Sequence, residues 1–456
     1  KITNEPDFFK PSCTWTFISS SLVGVRANLG GALFAVAGSS AFPEEDKLWL
    51  VTGFLCSRLS IAFLKVSNPT LNFQVANVNS LPWLPPIESN RVSDTVKKLV
   101  YSSKGDWDSY ETSWDFTSLP LLQPNHRQTT LEATYQSLRT HWQETTLEMQ
   151  RLEEENNRIF IEAYGLEDEL TPDVPLEEIT LTCNPHYRYR LGKAWDDKSE
   201  EERTTELETR LQQDTVQEFI SYAVGCMFGR YSLDKEGLVL ANQGETLEDY
   251  LAQVPNPSFM PDDDNVIPML DGDWFTDDVV ERFKEFLKTT FGEEHYETNL
   301  AFIEKALNVK GTRNYSIRDY FLKEFYNDHV RTYKKRPIYW LFSSPKGSFN
   351  ALVYMHRYRP DTVSVVLNSY LREYQTKLKS HKQNLEAISI GGGSQTEKTR
   401  ALKEIERINK VLHELEEYER DVVYPLATEQ VSIDLDDGVK QNYPKLGKAL
   451  KKITGL

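Results

Sequence analysis

Val363, Leu367, Tyr370, Tyr374, Leu378 and Leu385, then Gly391-Gly392-Gly393-Ser394, then Leu402, Ile405, Ile408, Leu412, Leu415 and Val422: this stretch decides the fold class. On each side of the glycines the apolar residues recur at three-, four- and seven-residue intervals. That spacing puts them on one face of a helix. Glycines between two such faces break the helix and let the chain reverse, so the stretch reads as an antiparallel helical hairpin. A GGGS run also occurs in flexible linkers, but the two flanking stripes account for it here.

Working upstream, the helical signal continues. Thr129 to Tyr164 is dense in Glu, Gln, Arg and Leu, with no Pro or Gly before Gly165, and predicts one long helix. Asp214 to Phe228 predicts an apolar helix closed by Gly229. Further helices are expected over Asp277 to Thr290, Glu297 to Leu307 and Ile317 to His329. Near the N-terminus, Leu48, Val51, Phe54, Leu55, Leu59, Ala62 and Phe63 predict a helix over Asp46 to Val66. Strands are expected at Cys13 to Ser20, at Ile179 to Cys183, at Ile338 to Ser343 and at Val431 to Leu435. Asn68 to Val75 is expected as a turn leading into a strand. The fold class is therefore α+β and predominantly helical. Four segments follow: a small mixed α/β unit over 1–87, a helical connector with a long helix over 88–170, a central α+β domain over 171–345 and a helical-hairpin domain over 346–456.

With 456 residues and 39% hydrophobic content the chain can bury a sizeable core. No apolar run reaches the roughly 18 residues of a membrane span, so no membrane association is expected. The polar start at Lys1 gives no signal-peptide pattern and suggests a fragment or a processed product. Cys13, Cys56, Cys183 and Cys226 are isolated. They are expected as free thiols, without a metal or disulfide framework, in a cytoplasmic protein.

The net charge of −17 argues against a protein made only to coat nucleic acid. One region runs against it. Arg313, Arg318, Lys323, Arg331, Lys334, Lys335, Arg336, Lys346, Arg357 and Arg359 are opposed only by Asp319, Glu324 and Asp328. Tyr333, Tyr339 and Trp340 interleave with these cations, and Tyr358 sits between the last two. Two readings stand side by side: a surface that neutralises phosphates and docks bases, or core aromatics beside solvated cations.

Chemistry-bearing motifs are sparse. An amino-methylating enzyme needs an Asn/Asp-Pro-Pro-aromatic motif beside a cofactor-binding Gly-rich loop. The nearest approach, Asn184-Pro185-His186-Tyr187, has His186 in place of the second proline, and a structural turn is the expected role. The basic-aromatic Tyr187-Arg188-Tyr189-Arg190 that begins within it could instead meet phosphate. Gly24 to Gly38 lacks dinucleotide-loop spacing. No GxSxG, HExxH or Walker pattern occurs. Asp262-Asp263-Asp264 is read as an acidic loop rather than a metal site. Asn68, Asn72 and Gln74 are amides around a turn, suited either to reading adenine in a major groove or to capping.

Whole phrases carry a more specific signal. They include Gly105-Asp106-Trp107-Asp108-Ser109-Tyr110-Glu111-Thr112-Ser113-Trp114-Asp115-Phe116, Asn157-Arg158-Ile159-Phe160-Ile161 and Tyr164-Gly165-Leu166-Glu167-Asp168-Glu169-Leu170. They continue with Gly225-Cys226-Met227-Phe228-Gly229-Arg230-Tyr231-Ser232-Leu233-Asp234, Arg336 to Ser344, Val422 to Leu426 and Asp436 to Lys440. Through them the chain resembles the C-terminal half of the PglX family, the adenine-specific DNA methyltransferases of BREX phage-defence systems. The resemblance implies the later part of a target-recognition region over 1–87 and helical domains beyond it. It implies that S-adenosylmethionine and the catalytic motif belong to an N-terminal domain not contained in this chain, so no catalytic, cofactor or metal residue is expected here. The partners it implies are double-stranded DNA, the methyltransferase domain of the same protein and other BREX components. The DNA-contact candidates are Asn68, Asn72, Gln74, Tyr187, Arg188, Arg190, Arg331, Lys334, Lys335, Arg336, Lys346, Arg357 and Arg359. The alternative is an interaction module that docks BREX components without touching DNA.

Overall fold

The structure, a computed structural model, describes residues 4–19, 23–68, 70–189, 192, 195, 197–391 and 394–456. Its architecture is α+β and predominantly helical, with two small three-stranded antiparallel sheets. The chain divides into two units, each made of two segments. The first is Lys1–Tyr110 with Leu138–Glu208, and the second is Glu111–Ser137 with Thr209–Leu456.

In the first unit, strand β1 (Ser12–Thr16) lies between β2 (Val25–Asn28) and β3 (Gly38–Ala41), with Cys13 opposite both Ala27 and Ala41. The strand alternation buries Cys13 and Trp15, and the Trp15 indole N–H donates to the Phe73 carbonyl at 2.9 Å. The helix expected over Asp46 to Val66 is two helices, Leu48–Cys56 and Arg58–Ser67, because Ser57 stands in extended backbone between them. Its hydroxyl donates to the Phe54 carbonyl at 2.6 Å and accepts from the Ser60 amide at 3.2 Å. Serine chemistry that favours a helix start has overridden a continuous apolar stripe. Leu48, Phe54, Leu55 and Leu59 close on Val92 and Val96 of helix Ser89–Asp108 and on Phe160 of the long helix Leu131–Tyr164.

Two strand expectations in this unit change. After a single bridge between Ile18 and Asn72, the chain enters a short helix, Val75–Asn79, not a strand. Ile179, Leu181 and Cys183 are buried in alternation as a strand would bury them, yet no strand forms. The Thr182 and Cys183 amides donate to the Asp106 carboxylate at 2.6 and 2.9 Å, and Leu181 N–H turns back to the Ile179 carbonyl. A side chain has taken the place of a neighbouring strand.

In the second unit, β6 (Asn350–Tyr354) lies between β4 (Val266–Pro268) and β5 (Tyr339–Ser343), with Leu352 opposite both Ile267 and Leu341. Every residue of the three strands is buried, so both faces are covered. The predicted hairpin forms from Arg372–Ile390 and Gln395–Tyr418. Ser394 caps the second arm: its hydroxyl accepts from the Glu397 amide, and the Glu397 carboxylate accepts from the Ser394 amide at 2.8 Å. Gly392 and Gly393 lie outside the described residues. Tyr370, Tyr374, Leu378, Ile408, Leu412 and Leu415 join Val353, Phe349 and Trp340 in one core. The apolar helix expected over Asp214 to Phe228 is the end of a longer one, Glu200–Met227. Val431 to Leu435 forms no strand; Tyr358 and Gln243 donate to the carbonyls of Val431 and Ile433 at 2.8 and 2.7 Å. Among the described residues no single helix is long and apolar enough to cross a membrane.

Candidate nucleic-acid interface

The basic region is organised by how one helix ends. Ile317–Tyr320, a π-helical Phe321–Phe325 and Tyr326–Thr332 follow one another without a break. Most helices that reverse at their C-terminus use glycine in the left-handed conformation there. This one uses lysine twice: Lys334 has φ 50° and Lys335 φ 64°. The Lys335 amide closes on the Val330 carbonyl at 2.8 Å and the Lys334 amide on Arg331 at 3.0 Å. A side chain in that conformation costs about 1–2 kcal/mol relative to glycine. Attraction of an exposed cation to the helix C-terminus returns about 0.3–1 kcal/mol, so local energetics do not favour lysine. Lys334, Lys335 and Arg336 are all exposed, and no ion pair engages them among the described residues.

The remaining cations of the region behave differently. Arg331 is paired with Asp328 at 3.0 Å and Arg359 with Asp361 at 3.3 Å, both on the surface. Lys346 is exposed, its backbone amide held by Glu414 at 2.7 Å. Arg318 and Lys323 are neutralised by Asp273, Asp278 and Asp319. Arg357 is a correction. It is 6% exposed, and its guanidinium donates to the carbonyls of Phe228, Asp262 and Asp263. Its donors are spent inside the unit, and it cannot reach a phosphate. Of the aromatics, Tyr339, Trp340 and Tyr358 are core residues and Tyr333 is half-buried, so the interleaving serves packing and the fully exposed residues of the turn are its cations.

The other candidates lie in the first unit. Asn68 is buried, and its amide is consumed locally. It donates to the Asn72 carbonyl at 2.8 Å and accepts from the Thr70 hydroxyl at 2.7 Å. That withdraws Asn68 from base reading and leaves it a turn residue. Asn72 and Gln74 are exposed, with Gln74 preceding the short helix and its backbone N–H donating to Asn77 Oδ1 at 2.9 Å. Tyr187 and Arg188 are half-buried, the Arg188 guanidinium lying 5.5 Å over the Tyr110 ring. Arg190 lies outside the described residues. Asn184 is fully buried: it donates to the carbonyls of Leu176 and Ile179 at 2.8 and 2.9 Å and accepts from His186 N–H at 3.1 Å. Its amide has nothing left to offer an adenine amine. The sequence did not reveal that Lys334 and Lys335 are left-handed, although a helix ending in Lys-Lys-Arg-Pro without glycine was the available signal.

The geometry defines a helix-dominated α+β chain with a compact, unpaired cationic turn. Two curated relatives match it from end to end. It is 36% identical over 473 aligned residues, all of this chain, to the adenine-specific methyltransferase BrxX of Escherichia coli O9:H4 (strain HS). It is 35% identical over 457 residues, 98% of this chain, to the adenine-specific methyltransferase PglX of Lacticaseibacillus casei (strain Zhang). The chain spans 37% and 35% of the length of these relatives. No protein-family model matches it. The similarity supports the relationship to BREX-type adenine-specific methyltransferases.

Proposed function

We propose that this chain is the DNA-recognition and scaffold portion of a site-specific adenine-N6 DNA methyltransferase in BREX phage defence, with catalysis and S-adenosylmethionine binding supplied by sequence outside it. The observation that carries the reading is the turn Lys334-Lys335-Arg336: three consecutive exposed, unpaired cations, two of them held in a conformation that lysine disfavours. End-to-end similarity to two adenine-specific methyltransferases supports it. Phosphate neutralisation by such a turn positions a protein on a duplex without reading sequence. The exposed amides of Asn72 and Gln74 are the candidates for base contacts.

The test is duplex binding measured by fluorescence anisotropy across a salt series. Binding should weaken as salt rises, with a log–log slope of about −0.9 per phosphate contacted. Reversing all three charges (Lys334→Glu, Lys335→Glu, Arg336→Glu) should weaken binding and flatten the slope by about 2–3. Binding indifferent to salt, or unchanged in that variant, removes the turn from the interface. The second reading, a module that docks other BREX components, rests on the fully exposed Trp114 indole and the acidic composition. Retention of a purified BREX component, lost on Trp114→Ala, with no duplex binding, would favour it.

A further inference from the structure

A basic stretch near the C-terminus, Ala449-Leu450-Lys451-Lys452, has had no part in the surface described so far. The second unit holds it in place. Ala449 and Leu450 are buried, and the Tyr418 hydroxyl donates to the Ala449 carbonyl at 2.6 Å. Leu450 forms an antiparallel bridge with Phe342 of β5, and the Lys451 amide donates to the Leu341 carbonyl at 2.8 Å. The Tyr443 hydroxyl donates to the Lys451 carbonyl. The same hydroxyl meets that of Tyr326, on the helix that ends in the cationic turn, at 3.3 Å.

An antiparallel pairing fixes direction as well as position. Each residue onward from Leu450 is carried one residue back along β5, from Phe342 toward Tyr339 and the turn that precedes it. Gly455 shows that the chain keeps to this course. A Cβ there would stand 2.6 Å from the Lys335 ammonium nitrogen, and its φ of 79° is one that side chains rarely adopt. This part of the tail therefore lies against the Lys335 side chain. Lys452 is three residues from Gly455 and Lys451 four, so even at full extension their backbones lie within about 11 and 14 Å of that contact.

Both lysine side chains are exposed, and no ion pair engages either among the described residues. Together with Lys334, Lys335 and Arg336 they make five cations, drawn from two segments distant in sequence, with no carboxylate paired to any of them among the described residues. Like charges so gathered repel one another, and a polyanion relieves that repulsion. About 14 Å of duplex axis carries about four phosphates on each strand, enough for all five cations to be engaged at once.

We infer that Lys451 and Lys452 belong to the same phosphate-binding surface as Lys334, Lys335 and Arg336. This surface presupposes duplex binding by the turn, as proposed above, and extends it with a second arm. The backbone of that arm is already pinned by hydrogen bonds and buried apolar side chains, so little ordering is needed when a duplex arrives. Its partner is the sugar-phosphate backbone, which positions without specifying sequence.

The experiment measures duplex affinity by anisotropy over a salt series for four forms of the full chain. These are wild type, Lys451→Glu with Lys452→Glu, the charge-reversed turn, and Lys403→Glu with Lys410→Glu on the second hairpin arm. The last makes the same change in net charge at exposed positions. The tail variant should lose about tenfold or more in affinity and flatten the log–log slope by about 1–2, while the hairpin variant changes far less. An unchanged Tm shows that the tail variant is folded. Should reversal disturb the fold, Lys451→Gln with Lys452→Gln decides, with a smaller loss in the same direction. A folded tail variant that binds like the hairpin variant, while the turn variant is weakened, would remove the tail from the surface and leave the turn's role intact. A wild-type chain that binds no duplex would remove both.

Discussion

At the scale of the residue, the choice of lysine at two left-handed positions is the most informative substitution in the chain. Glycine would relieve the backbone strain at either position, although the Lys335 ammonium also lies against Gly455. Lys335→Gly is therefore expected to raise stability by about 1 kcal/mol while weakening duplex binding, a divergence seen by pairing denaturant unfolding with anisotropy. A variant that loses both would mean that Lys335 is held by packing. Sequence reading found these cations but could not separate them from Arg357, because Arg357 and Arg359 look alike in a basic stretch. What distinguishes them is that Arg357 faces three carbonyls drawn from residues 228, 262 and 263, a coincidence of distant segments that no local pattern encodes. Gly225 to Asp234 stood out as a phrase, and Gly225 shows why it is constrained: a Cβ there would lie 2.4 Å from the Tyr231 ring.

At the scale of the element, helices were legible and isolated strands were not. The hairpin of Arg372–Ile390 and Gln395–Tyr418 announces itself because a helix satisfies its own backbone, leaving only side-chain periodicity to be read. A strand needs a partner, and at 179–183 and 431–435 the partners proved to be side chains. β4 was missed as a strand because three residues between acidic loops carry little pattern. The loop leading into it also sets a pH dependence. Asp262 is buried beside Asp264, Asp277, Arg282 and Arg357, and burial first, then Asp264, pushes its carboxyl up to about 7. The folded chain thus keeps a proton that the unfolded chain releases near pH 3.9. That contribution to stability is full below about pH 4 and is lost as pH climbs through about 7. Asp262→Asn preserves an acceptor for the Val266 amide, bonded at 3.1 Å, and never ionises. It should gain stability relative to wild type between about pH 4 and pH 7; parallel stability curves would show that Asp262 does not titrate in that range.

At the scale of the whole molecule, the net charge of −17 misleads in one respect. It is an average over a surface on which many cations are matched by a neighbouring carboxylate, as Arg331 is by Asp328 and Lys323 by Asp319. What a polyanion meets is the remainder, and three consecutive members of it, Lys334, Lys335 and Arg336, stand where a helix stops. That placement has a practical consequence. Consecutive lysines on an exposed turn are what trypsin cuts first, since loop tips open more easily than helices. Cleavage of the native chain should begin after Lys334 or Lys335 and slow when a duplex is present. If mass spectrometry instead finds the first cut elsewhere, or an unchanged rate with saturating duplex, the turn is not where the duplex lies. The bond that a protease finds easiest to reach would then serve as a footprint of the bound state, read from the mass of two fragments.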